Sequence, residues 1–117
     1  MLHAAHASRL HWELSGCEPL NLARGEWQVS RVYAVLGRGE PALHHGWRCK
    51  EICERQGIGD FDLAFAYEAV ARACAVIGTP GPRDQFLASA REAAGTIARK
   101  EDRARVLKDL ASIPVAK

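Results

Sequence analysis

Ala23-Arg24-Gly25-Glu26-Trp27-Gln28-Val29-Ser30-Arg31-Val32-Tyr33-Ala34-Val35-Leu36-Gly37 returns, in diverged form, as Ala64-Phe65-Ala66-Tyr67-Glu68-Ala69-Val70-Ala71-Arg72-Ala73-Cys74-Ala75-Val76-Ile77-Gly78. The offset is 41 residues, and six of the fifteen positions are identical, among them Val29/Val70, Arg31/Arg72 and Gly37/Gly78. Each stretch is helical by period and ends on a glycine, which can supply the left-handed residue that closes a helix. A period near forty with two helices in it is the mark of stacked helical pairs.

Punctuation outside the repeat agrees. Gly16 precedes Pro19, Gly37 precedes Pro41, and Gly78 precedes Pro82. Glycine after a helix and proline in the first turn of the next is the favoured asymmetry of helix ends. Gly57 and Gly59 make another break, with Asp60 as a candidate N-cap. Helices are therefore predicted over 2–15, 19–36, 41–56, 60–77, 82–98 and 101–112. Their apolar stripes follow helical spacing: Ala42, Gly46, Cys49 and Cys53 in the third, and Phe86, Ala90, Ala93 and Ile97 in the fifth. The stripe of the third should face the helix over 19–36. The fourth is apolar on most sides and should be the most buried. No segment alternates with period two.

Composition supports one all-α domain spanning 1–117. Of the 117 residues, 20 are alanine and 7% are aromatic, a balance that favours helix over strand. The net charge of +2 argues against a strongly electrostatic nucleic-acid binder. No apolar run approaches a membrane span, and the start Met1-Leu2-His3-Ala4-Ala5-His6 lacks the basic and apolar regions of a signal peptide. The expected location is cytoplasmic. There Cys17, Cys49, Cys53 and Cys74 read as free thiols.

The two units resemble tetratricopeptide repeats. The resemblance rests on Ser30, Tyr33, Gly37 and Ala42 in the first unit. In the second it rests on Tyr67, Ala71, Cys74, Gly78 and, after extra linker residues around Pro80-Gly81-Pro82, Phe86, Ala90 and Ala93. The chain departs from the pattern where Glu26 stands at the large aromatic position and Cys74 at the second aromatic. Two strings, Ser30 to Gly37 and Gly57 to Asp62, are also similar to those of short uncharacterised bacterial proteins, which implies no function. The resemblance implies a right-handed stack of antiparallel helical hairpins, with units at 18–57 and 60–98, a half-unit at 1–16 and a capping helix at 101–112.

The same resemblance implies a non-catalytic scaffold for a protein or an acidic peptide, with no enzymatic activity, metal or cofactor. In such a stack the first helix of each unit lines a concave groove. Arg24, Trp27 and Arg31 then share a stripe with Phe65, Glu68 and Arg72 of the next unit. Arginine pairs bidentately with carboxylates, and tryptophan is a flat anchor. A structural reading stands beside it, in which Arg31 and Arg72 pair internally with Glu26, Glu68 or Asp62. Two further alternatives remain. His45, Cys49 and Cys53 at i, i+4 and i+8 can put zinc-type ligands on one helix face, although a fourth ligand is missing. Alternatively the chain is a self-associating regulatory subunit, a homodimer completed through the helix over 2–15 or through the opposite end of the stack, since Ala4, Ala7, Leu10, Trp12 and Leu14 exceed what one neighbour covers.

Overall fold

In a computed structural model, the structure describes residues 19–114, and these form five helices: α1 (Pro19–Val35), α2 (Gly39–Gln56), α3 (Asp60–Ile77), α4 (Pro80–Gly95) and α5 (Lys100–Ala111). No strand occurs among the described residues. The all-α expectation holds. The first predicted helix, over 2–15, lies outside the described residues together with His3, His6, His11 and Cys17.

Helix ends follow the glycines. Gly37, Gly57 and Gly78 all have positive φ, 74°, 65° and 91°. At Gly78 the backbone N–H returns to the Cys74 carbonyl, which satisfies one of the free carbonyls at the end of α3. Starts differ more from expectation. Asp60 does not cap α3: Gly59 occupies the N-cap position, no side chain bonds there, and Asp60 is itself the first helical residue at φ 58°. Aspartate tolerates this left-handed region better than most side chains do. The extra linker residues expected before Pro82 are absent. Helix α4 begins at Pro80, so the loop over 78–79 is no longer than the loop over 36–38, and α2 and α4 start 41 residues apart, at Gly39 and Pro80. Helix α4 also stops at Gly95 rather than 98, and Ile97 is buried beyond its end.

Side-chain contacts give the directions. Ser30, Glu26 and Ala23 of α1 meet Ala42, His45 and Cys49 of α2 in reverse order, so these neighbours run antiparallel. The Ser30 hydroxyl donates to the Ala42 carbonyl at 2.7 Å, which places two small residues at the crossing. Between α1 and α3 the contacts run parallel: Arg24 with Asp62, Trp27 with Phe65 and Glu68, Arg31 with Glu68. The Trp27–Glu68 offset of 41 residues is the repeat offset made physical, and the Arg24–Asp62 offset of 38 falls one helical turn short of it. Helix α5 joins the same side, since Arg72 of α3 reaches Asp109 and Ser112.

Helix α3 sits at the centre and touches each of the other four. Its Ala64, Phe65 and Ala71 form one core cluster with Leu87, Ala90 and Ile97, closed over by Val106, Leu110 and Ile113 from α5 and the residues after it. A second cluster holds Ala23, Cys49, Cys53 and Ala66. The α2 stripe is thus pinched between α1 and α3, rather than facing α1 alone. Gly46 shows why. A Cβ there would lie 3.2 Å from Ser30 Oγ and 3.3 Å from backbone atoms of Ala69 and Val70. Small residues let three helices approach at one point.

Candidate functional site

Helices α1, α3 and α5 present one shared face, and all six groove residues named from sequence belong to it. Arg24, Trp27 and Phe65 line a cleft of about 420 Å³ between α1 and α5, floored by α3. Arg31, Glu68 and Arg72 form a charged cluster beside it. Sequence reasoning did not place the other lining residues in the groove: Ala23, Gln28, Phe61, Arg105 and Asp109, with Cys49 and Asp62 named only in other roles. Phe61 had a legible signal, being one turn before Phe65. Arg105 and Asp109 had none, because their place depends on how α5 folds back.

The apolar floor is aromatic. Trp27 meets Phe65 edge-on with centroids 5.5 Å apart, and Phe61 meets Phe65 at 4.7 Å. Edge-to-face pairs of this kind hold rings in fixed orientation. The Trp27 indole N–H donates to Glu68 Oε1 at 3.1 Å, which fixes the ring further.

The charged cluster is internally matched. Glu68 has no exposed surface. Its carboxylate accepts from Arg72 Nε at 2.7 Å and from Trp27, and Arg31 Nη1 lies 3.5 Å away. Arg72 also donates to the Asp109 carbonyl at 3.0 Å and to Ser112 Oγ at 2.8 Å, so it closes the C-terminal end of α5, where cations are favoured. Arg31 is held more loosely. Its Nη1 is buried, makes no hydrogen bond, and lies 3.7 Å from Asp109 Oδ2. The internal-pairing alternative for these arginines is therefore realised through Glu68. Glu26 takes no part: it faces α2, where it accepts from His45 Nδ1 at 2.7 Å and Arg48 Nε at 2.8 Å. A ligand reaching Arg72 would have to displace α5. That would expose Val106, Leu110 and Ile113, each worth about 1.5–3 kcal/mol when buried.

Arg24 pairs with Asp62 through two hydrogen bonds, of 2.9 and 3.2 Å, and this pairing raises the guanidinium pKa further. Arg105 is exposed, and among the described residues it has no carboxylate within 4 Å. Cys49 is 3% exposed. The neighbouring Cys53 sulfur and burial push its thiol pKa far up, so it meets the cleft as a neutral group.

The face formed by His45, Cys49 and Cys53 does not assemble as a ligand set. His45 is turned to Glu26 and stacks on Tyr33, whereas both thiols point into the α1–α3 contact. No group of three or more His, Cys, Asp or Glu among the described residues could hold a metal ion. No helix among them is long and apolar enough to cross a membrane. No protein family matches this chain, and neither do any curated protein or solved structure.

Proposed function

We propose that the chain is a non-catalytic binding module, a short right-handed stack of tetratricopeptide-like hairpins that holds a protein segment or an acidic peptide on the α1–α3–α5 face. The observation that carries this reading is the cleft itself. An aromatic floor lies between two walls that bear guanidinium groups, and one of these, Arg105, has no carboxylate partner among the described residues. The common helix register, with starts at Pro19, Asp60 and Lys100, supports the repeat part of the proposal. The fold alone implies no ligand, so the argument for function rests on the site. It is tested by retention of acidic and neutral peptides on the immobilised chain. Wild type retains the acidic set, whereas Arg105→Glu loses it with an unchanged melting temperature. Equal retention by both proteins refutes the reading.

A second reading, self-association as a homodimer or regulatory subunit, is favoured by Val35, Leu36, Val76 and Ile77. These four are exposed at the shared end of α1 and α3. Val35 with Val76, and Leu36 with Ile77, are repeat counterparts on neighbouring helices, and exposed apolar side chains gathered at one end are what a second copy would cover. Light scattering at micromolar concentration decides it: a strict monomer removes this reading and leaves the first intact.

A further inference from the structure

Among the described residues, the charges on the α1–α3–α5 face leave one cation over. Arg24 is matched by Asp62, Arg72 by Glu68, and Arg31 lies between Glu68 and Asp109. Four guanidinium groups, with Arg105 the fourth, thus face three carboxylates. Arg105 stands on the α5 wall one turn before Asp109, across the aromatic floor from Arg24. Both aspartates of the lining already have an arginine, so a cationic ligand would meet Arg105 without a free partner of its own. An anionic ligand finds one unmatched cation, Arg105.

Size and shape narrow the ligand further. About 420 Å³ lies near the lower end of small-molecule pockets, roughly 300–1,000 Å³. One ring system with a short side chain fills that space, which is the size of a single anchoring group rather than of a whole peptide. The Arg24–Asp62 pair ties α1 to α3 on one flank, and Arg31 and Asp109 bring α1 and α5 together on the other. The floor between them offers ring edges and faces from Trp27, Phe61 and Phe65, and a protonated thiol from Cys49.

We propose that this cleft binds a small organic acid made of one flat apolar body and one carboxylate, with the body over Phe61 and Phe65 and the carboxylate on Arg105. This goes beyond the peptide-binding reading and does not depend on it. Water is displaced from apolar ring surface, and a bidentate charge-assisted pair forms at the partly open α5 wall.

The probes are indole-3-acetate, its neutral amide and cationic tryptamine. Each is titrated into the full chain while the Trp27 indole N–H resonance is followed, a proton the structure places on Glu68 at the cleft edge. The acid is expected to shift this signal saturably. The amide should bind at least tenfold more weakly and tryptamine more weakly still. Arg105→Gln should erase the preference for acid over amide without moving the melting temperature. Absence of a saturable shift at millimolar acid overturns the proposal. Equal affinity for acid and amide overturns it as well, leaving a merely apolar pocket, and so does an unchanged preference in Arg105→Gln. If acidic peptides are retained through Arg105 while the small acid fails to bind, this inference falls and the peptide reading stands. The converse result separates them the other way.

Discussion

Arg31 and Arg72 occupy the same position in the two units, yet their removal should have very different consequences. The Arg72 side chain is 13% exposed and makes three hydrogen bonds, to Glu68, the Asp109 carbonyl and Ser112. Truncation to alanine strips Glu68, which is fully buried, of its shortest partner and opens the end of α5. Breaking a buried pair on one side costs about 3–5 kcal/mol. Arg31 is 31% exposed, its contacts with Glu68 and Asp109 are 3.5 and 3.7 Å long, and neither is a hydrogen bond. A loose, partly wet pair contributes at most about 1 kcal/mol. For a domain of this size each kcal/mol moves the melting temperature by roughly 3–6 °C. Arg72→Ala should therefore lower it by about 9–30 °C, and Arg31→Ala by no more than about 6 °C. Thermal unfolding followed by circular dichroism, with urea denaturation as a check, measures both. If Arg72→Ala is too unstable to study, Arg72→Lys keeps the charge and loses the planar fork, and it should lie between wild type and the alanine variant. Arg72→Ala melting within 3 °C of wild type would refute the reasoning, as would equal losses at the two positions.

Three further outcomes follow from the packing and the buried groups. Gly46→Ala gains about 1 kcal/mol of helix propensity but drives a Cβ against Ser30 and the α3 backbone, where overpacking costs about 1–3 kcal/mol; a net loss is expected, and a rise in denaturation midpoint would contradict it. Gly78→Ala should cost about 1–2 kcal/mol through its φ of 91°, whereas Gly81→Ala, in open space in the first turn of α4, should gain about 0.4–1 kcal/mol; chemical denaturation that ranks them the other way would be inconsistent with the backbone described. Burial raises the pKa of Cys74, and burial and then the Glu54 carboxylate raise that of Tyr67. The unfolded chain therefore loses these protons first, so the contribution of both groups is complete below the unfolded thiol value of about 8.5 and fades as pH rises beyond it. Melting temperature should fall from pH 8.5 to 10.5, less steeply in Cys74→Ala; a flat profile would show that neither group is differentially protonated.

The helices and most of their ends were legible in the sequence because they depend on local rules. Gly37 and Gly78 close helices since a residue without Cβ adopts positive φ freely, and that requirement shows in the chain as a glycine after an apolar stripe. The 41-residue offset likewise foretold which helices would lie side by side, with Trp27 meeting its own repeat counterpart Glu68 across the α1–α3 contact. Asp60 was misread because an aspartate before a helix can cap it or begin it, and only the backbone angle separates the two. The pairing of charges had no local signature at all. Glu26 and Glu68 look alike in sequence, yet the first is turned to α2 and the second to the shared face of α1, α3 and α5. Which way each turns follows from the rotation of its helix about its own axis, set by the packing of Ala23, Ser30, Gly46 and Ala66 at the crossings. Arg105 enters the cleft only because Val106, Leu110 and Ile113 bury themselves against α3 and α4 and carry the opposite edge of α5 over the groove. Local chemistry sets where a helix begins and ends, whereas long-range burial decides which of its faces become a site.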